Sequence, residues 1–399
     1  MIKKKWIFFF LCWLGMAIFF CERWIFSPMI PTLMTDFGVD RVGAGALASA
    51  QMMGYLLTPF FAGFLSDRLG RRSVILLGLF GLSLFTTLSG FTTSYHQMVA
   101  TRFLTGVLEP FFSVALIAYF IELFPNYPAF FTTLMISGTS VGWFAGPVLS
   151  GWSLQTLGSW RHPFWITGIA GLALFCIMFF YWYDQKSLEE AVQAKPAPTV
   201  HHTKAVLITT LIIMCLIVFF DCIAEFGFSM WLPSFLKEER KFSIIQAGVI
   251  ASMWGVGQFF GRPLLGLLSD HTGYRHVGTP AAFILGLSFY FIVTSQTYSS
   301  FIFWQLTAGF IGGALMGSLW TFTAIFFGKT KGTALGLISN LGNTGAVVAP
   351  VIGGYLADRT SLERSLLIMG VIPSIICSLL FLSSFIWVKE NVRAWRKNK

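Results

Sequence analysis

GFLSDRLGRR (residues 63–72) returns as GLLSDHTGYR (residues 266–275), which places Asp67 and Asp270 203 positions apart. Two further landmarks keep nearly the same interval. GWFAGPVLSG (142–151) returns as GAVVAPVIGG (345–354), with Pro147 and Pro350 again 203 apart. IPTLM (30–34) returns as LPSFL (232–236), with Pro31 and Pro233 202 apart. Three landmarks at one offset mark a chain whose second half repeats the design of its first.

The residues around these landmarks say what kind of design it is. The 399 residues are 55% hydrophobic and 11% charged, with a mean hydropathy of +0.73, whereas soluble domains carry about 25% charged residues. Twelve apolar runs recur, at 6–34, 43–65, 73–93, 97–123, 128–150, 163–183, 205–236, 244–268, 278–296, 299–327, 333–357 and 363–388. Runs of about 20 residues cross ~30 Å of hydrocarbon as helices. Helices are required there, because lipid offers no partner for backbone N–H and C=O groups. The expected fold is therefore an all-α membrane protein: twelve transmembrane helices in two six-helix repeats. Six is even, so the repeats run parallel, with a site expected at their midplane interface. The expected organisation is an N-terminal bundle (1–183), a polar cytoplasmic linker (184–204) and a C-terminal bundle (205–399). The first run is too long for a signal-peptide core and reads as a retained helix.

The net charge of +10 does not call for nucleic acid. Most basic residues, among them Lys3, Lys4, Lys5, Arg68, Arg71, Arg72, Lys186, Lys195 and Lys204, fall on one side of the alternating spans. That side is cytoplasmic by the positive-inside rule, with both termini there and a bacterial inner membrane as the setting. The six cysteines lie within predicted spans and read as small packing residues. The histidines lack metal-ligand spacing, and no phosphate-binding G-x-x-x-x-G-K-[ST] loop is present. Neither an enzyme nor a cofactor or metal site is expected, and the chain reads as a monomer.

Charges inside the apolar runs point to function, because ionised groups at bilayer depth are costly and rare. Glu22 and Arg23 stand together in the first run. Arg23 is the leading anion ligand, since a guanidinium can clamp a carboxylate with two hydrogen bonds. The plainer alternative is a structural partner for Glu22 or Glu109. Arg102 and Glu109 lie seven residues, or two helical turns, apart on one face of the fourth span; Arg102 can also be read as a snorkelling interfacial arginine. Glu22 and Glu109 are candidate proton carriers. Asp221 and Glu225 share a face of the seventh span, suited to protons, Na⁺ or the cationic group of a zwitterion, or to structural bonding. Asn340 and Asn343 can bond substrate hydroxyls or pack between glycines. Tyr55, Gln51, Gln258 and Trp320 are weaker cavity candidates.

These stretches resemble a known family. The loop Gly63–Arg72 is similar to the signature of the major facilitator superfamily. Within it, ERWIFSPMIPTLMTDFG (22–38), RFLTGVLEP (102–110) and WLPSFL (231–236) resemble the anion:cation symporters, which include hexuronate, galactonate and sialic acid transporters. SWRHPFWITGIAG (159–171) and GNTGAVVAPVIGG (342–354) fit as well. The resemblance implies uptake of a small organic anion, a carboxylate or sugar acid, with protons, by alternating access. It implies that Arg102 holds or guides the anion and that Glu109 carries a proton. It also implies that Asp67, Arg68, Arg71 and Arg72, with Asp270 and Arg275 in the second half, form gating salt bridges. The chain departs from the pattern at Glu22, where an aspartate is usual, at Leu108, where a glycine is usual, and at Asp221 and Glu225. GWFAGP (142–147) resembles the fifth-helix motif of drug–proton antiporters, which makes export in exchange for protons the alternative. A membrane receptor that binds without transport is a third reading.

Overall fold

The structure is a computed structural model and describes residues 2–124, 128–182, 204–272, 274–327 and 331–387. The linker, apart from Lys204, lies outside the described residues, as do the side chains of Asp270, Arg275 and Trp320. Among the described residues every regular element is helical, and the helices line up as twelve rods. In the first half these are α1 (Ile2–Trp24, then Phe26–Phe37), α2 (Arg41–Leu57, then Pro59–Leu69), α3 (Arg71–Ser89), α4 (Tyr95–Leu123), α5 (Pro128–Ile136, then Gly138–Thr156) and α6 (Arg161–Phe180). In the second they are α7 (Lys204–Cys222, a π-turn Ile223–Gly227, then Phe228–Glu238), α8 (Ile244–Thr272), α9 (Tyr274–Thr294), α10 (Tyr298–Phe327), α11 (Lys331–Arg359) and α12 (Leu362–Trp387).

Among the described residues, nine helices are long and apolar enough to cross a membrane by length and composition alone. The remaining rods are α2, α5 and α10. The first two are interrupted, and α10 has central side chains outside the described residues. The interruptions have local causes. In α1 the break falls at Ile25, where Pro28 offers no N–H to the carbonyl of Trp24. In α2 it falls at Thr58, before Pro59, and the Thr58 hydroxyl donates to the Val107 carbonyl of α4 at 2.8 Å. Caps set the rod ends: Asp40 accepts from the Gly43 N–H at 2.8 Å at the start of α2. Gly38 closes α1 with φ +63°, a left-handed conformation that glycine adopts without strain.

Within the halves, α3 packs on α4 and α6, α2 on α4, and α1 on α5; α8 packs on α10, α9 on α12, and α7 on α11 and α12. Between the halves, α2 meets α11 and α5 meets α8, two contacts that the internal repeat maps onto each other. Phe8, Cys12, Leu79, Phe112 and Met178 fill the core of the first half. A larger buried cluster runs through the seam from Trp24, Ile30 and Leu47 to Trp231 and Trp254.

The seam is tight at the end that carries the Gly38–Asp40 turn. A Cβ on Gly45 would collide with the Pro350 carbonyl, and one on Gly354 with the carbonyl of Arg41. The Ser27 hydroxyl donates across the seam toward the Ser229 and Met230 carbonyls, at 3.0 and 3.1 Å. Pro233 leaves the Ser229 carbonyl without its helical N–H, so Ser27 supplies the missing donor. Arg41 pairs with Glu238 at 2.7 Å and with Asp358 at 3.1 Å, tying α2 to α7 and α11. At the opposite end, the Pro59–Leu69 segment of α2 packs on α3 and α4 of its own half, and Gly63 and Gly336 face open space. Among the described residues, the ion pairs and the Ser27 bonds that tie the halves gather at the Gly38–Asp40 end.

Candidate functional site

The kink in α1 leaves Glu22, Arg23 and Trp24 on the last turn of its first segment, beside the seam. Arg23 is 8% exposed, while Glu22 and Glu109 are fully buried. Arg23 forms a salt bridge to Glu109 of α4. Gln51 of α2 donates to the other oxygen of Glu109 and accepts from Arg102. The two-turn spacing of Arg102 and Glu109 is thus bridged by one amide, giving a buried chain Arg102–Gln51–Glu109–Arg23. Gln51 enters it because α2 and α4 touch backbone to backbone: a Cβ on Gly106 would strike the Gln51 carbonyl, and one on Gly54 the Phe103 carbonyl.

Aromatic rings surround both guanidiniums. Arg23 lies 5.2, 5.1 and 5.3 Å from the ring centres of Phe19, Phe20 and Tyr55. Arg102 lies 5.6 and 5.8 Å from those of Phe26 and Phe164. Neither guanidinium is saturated, since the Nε of Arg23 and the Nε and Nη1 of Arg102 are buried without a hydrogen bond. Glu22 sits beside Arg102, Thr86 and Glu109, and neither of its oxygens meets the geometry of a full hydrogen bond. A small cavity opens onto this group, between the halves. Arg23, Gln51 and Arg102 line it from the first half, and Phe226, Met230, Ala346 and Pro350 from the second. Trp24 stacks on Trp143 with centres 3.9 Å apart, and Trp143 meets Trp254 of the other half at 5.7 Å.

A second polar group lies in the second half. Glu225 falls inside the π-turn of α7, next to Asp221, and Arg262 of α8 faces it. Arg262 reaches across the seam and donates to the Thr139 hydroxyl of α5 at 2.8 Å. Asn343 accepts from the Cys222 thiol at 3.3 Å and donates to Ser339 at 3.2 Å. Asn340 is half-buried on the same rod. Neither asparagine lines the cavity at Arg23.

The loop residues pair within their own half. Arg71 binds Asp67 at 2.7 Å and Glu122 at 2.8 Å, Arg72 donates to the Phe179 carbonyl at 2.8 Å, and Arg68 lies 4.3 Å from the centre of the Phe64 ring. Among the described residues, the ion pairs that cross the seam belong instead to Arg41, which the apolar runs 6–34 and 43–65 leave between two spans. Its partners lie 197 and 317 positions away, and no local signal announces them. Arg262 and Phe226 were also missed. Arg262 is an arginine inside an apolar run, the same signal that singled out Arg23, and Phe226 stands 203 positions after Arg23.

Two repeated helical halves that meet at buried, incompletely bonded charges have the build of a membrane transporter. The Major Facilitator Superfamily profile matches residues 12–350 and 214–398, and the chain belongs to that superfamily. The chain is 24% identical over 377 residues to the cis,cis-muconate transport protein of Acinetobacter baylyi, covering 91% of this chain and 90% of that one. It is 26% identical to the probable galactarate/D-glucarate transporter of Bacillus subtilis, with 92% and 89% covered. It is 24% identical to the sialic acid transporter NanX of Escherichia coli, with 93% and 92% covered. These relatives are transporters, not enzymes. Among solved structures, a bacterial homologue of the human lysosomal transporter Spinster, in an inward-facing and occupied conformation, superposes with a TM-score of 0.78. It is 13% identical and covers 95% of this chain and 96% of its own.

Proposed function

We propose that the protein takes up a small organic anion across a bacterial inner membrane together with protons, by alternating access to the cavity at Arg23. The observation that carries this reading is the Arg23–Glu109 salt bridge, buried beside that cavity at the seam of the halves. An arriving carboxylate competes with Glu109 for the Arg23 guanidinium. Protonation of Glu109 frees the arginine, and Gln51 relays the change to Arg102, so anion and proton load together. Glu22, beside Arg102 and with no full hydrogen bond, is the second carrier. Asp221 and Glu225 form a further protonatable pair in the opposite half.

With the basic end cytoplasmic, the tied end of the seam is the outer one, as an inward-facing state requires. Residues 1–183 and 205–399 are the rocking bodies, joined through 184–204. Arg41, Glu238 and Asp358 then hold the outer gate, while Asp67, Arg71 and Glu122 wait within one half to meet Asp270 and Arg275 when the inner end closes. The Gly142–Pro147 stretch, which argued for an exporter, serves packing here. A Cβ on Gly142 would collide with the Ala17 carbonyl, and one on Gly248 with the carbonyl of Pro147 at 2.5 Å.

The test is flux in proteoliposomes with an imposed inward proton gradient. Wild-type protein should accumulate a carboxylate, and Glu109→Gln should keep exchange of the anion across the membrane but lose gradient-driven accumulation. Gradient-driven accumulation by Glu109→Gln equal to wild type would remove Glu109 from the mechanism. Extrusion of the anion by the wild type would reverse the direction.

A further inference from the structure

Three of the side chains that line the cavity are polar, Arg23, Gln51 and Arg102, all from the first half; the rest are apolar, Trp24, Phe26 and Met52 among them from the first half and Phe226 and Met230 from the second. Because Phe226 lies 203 positions after Arg23, duplicated positions face one cavity, one bearing a cation and the other a ring. Several polar groups near Phe226 and Met230 are already engaged, while the Trp24 indole N–H and the Ser229 hydroxyl are buried without a hydrogen bond. The Pro350 carbonyl accepts from the Trp231 indole at 3.0 Å, the Ser229 and Met230 carbonyls face the Ser27 hydroxyl, and Asn343 is held by Cys222 and Ser339. The ring of Phe226 lies 5.6 Å from Trp24, which extends the apolar lining into the tryptophan stack.

We infer that the anion this site takes carries its carboxylate on a flat apolar body, as an aromatic or unsaturated acid does, and is not a polyhydroxylated sugar acid. This rests on the anion-transport reading above. In the state that admits the anion, the carboxylate meets Arg23 and Arg102, and the body lies against Phe226 and Met230 of the second half and Trp24 of the first. A sugar acid carries more hydroxyls than this lining has free polar atoms, so hydroxyls turned to Phe226, Met230 and Ala346 would leave water without gaining a partner, which weakens binding. A flat ring loses little water and gains offset or edge contacts with the aromatic side chains.

The experiment measures binding of benzoate and D-glucarate to the purified full-length protein by calorimetry, and their competition for uptake in proteoliposomes. Benzoate should bind at least tenfold more tightly. Phe226→Asn and Met230→Gln, each checked for a wild-type unfolding midpoint, should narrow that ratio without abolishing anion binding, and Phe226→Leu should preserve most of it. Arg23→Ala should lose both anions. Equal or tighter binding of D-glucarate would overturn the substrate class while leaving anion transport standing. So would a ratio unmoved in folded Phe226→Asn and Met230→Gln proteins. Binding of neither anion to the wild type would overturn both readings.

Discussion

Arg23 answers to two demands, and they can be separated. It neutralises a fully buried glutamate, and it borders the cavity. Removing one partner of a buried ion pair costs about 3–5 kcal/mol, because the other is left uncompensated, whereas replacing both by apolar groups is often neutral. Arg23→Ala should therefore lower the thermal unfolding midpoint and abolish uptake. The double change Arg23→Met with Glu109→Leu should recover the midpoint and leave uptake abolished, with fluorescence melting and liposome flux as the paired readouts. Recovery of uptake in the double variant would show that the pair serves structure alone. Much of this scale could be read in the sequence, because charge inside an apolar run is conspicuous: Glu22, Arg23, Arg102 and Glu109 all converge. Gln51 drew less weight because a neutral amide in a run carries a weaker signal, although it joins Arg102 to the Arg23–Glu109 pair.

At the scale of helices, the site depends on how closely α2 and α4 approach. Gly54 and Gly106 let the two backbones touch and so bring the Gln51 amide to Glu109 and Arg102. Gly106→Val would push the Gln51 backbone away by more than side-chain rearrangement can absorb. The expected result is a folded protein of lowered melting temperature with anion affinity reduced at least tenfold, as measured by calorimetry. An unchanged affinity would show that Gln51 does not need this register. The proline breaks were legible as residues but not as consequences. Nothing in the sequence says that the carbonyl exposed by Pro233 would be met by Ser27 from the other half, 202 positions earlier. The twelve rods were visible because apolar length is a local property, whereas the breaks at Thr58 and Ser137 divide α2 and α5 within runs that read as continuous.

For the molecule as a whole, the repeat offset carried the architecture, and the asymmetry between the ends had to come from the structure. Arg41, Glu238 and Asp358 lie 26–30% exposed as side chains, where each ion pair is worth up to about 1 kcal/mol and weakens with salt. Arg41→Gln should shift the population toward opening at that end by a few-fold, and raised ionic strength should do the same to the wild type. Distances between spin labels placed on the exposed faces of α2 and α11 at this end measure the shift. An unaltered distance distribution in Arg41→Gln would assign closure to the Ser27 and glycine contacts instead. The stacked indoles of Trp24, Trp143 and Trp254 have one more consequence. Because Trp254 belongs to the opposite half, the proposed alternating access would part it from Trp143, so the native ultraviolet emission of the unlabelled protein should change with the motion and serve as an optical clock for it.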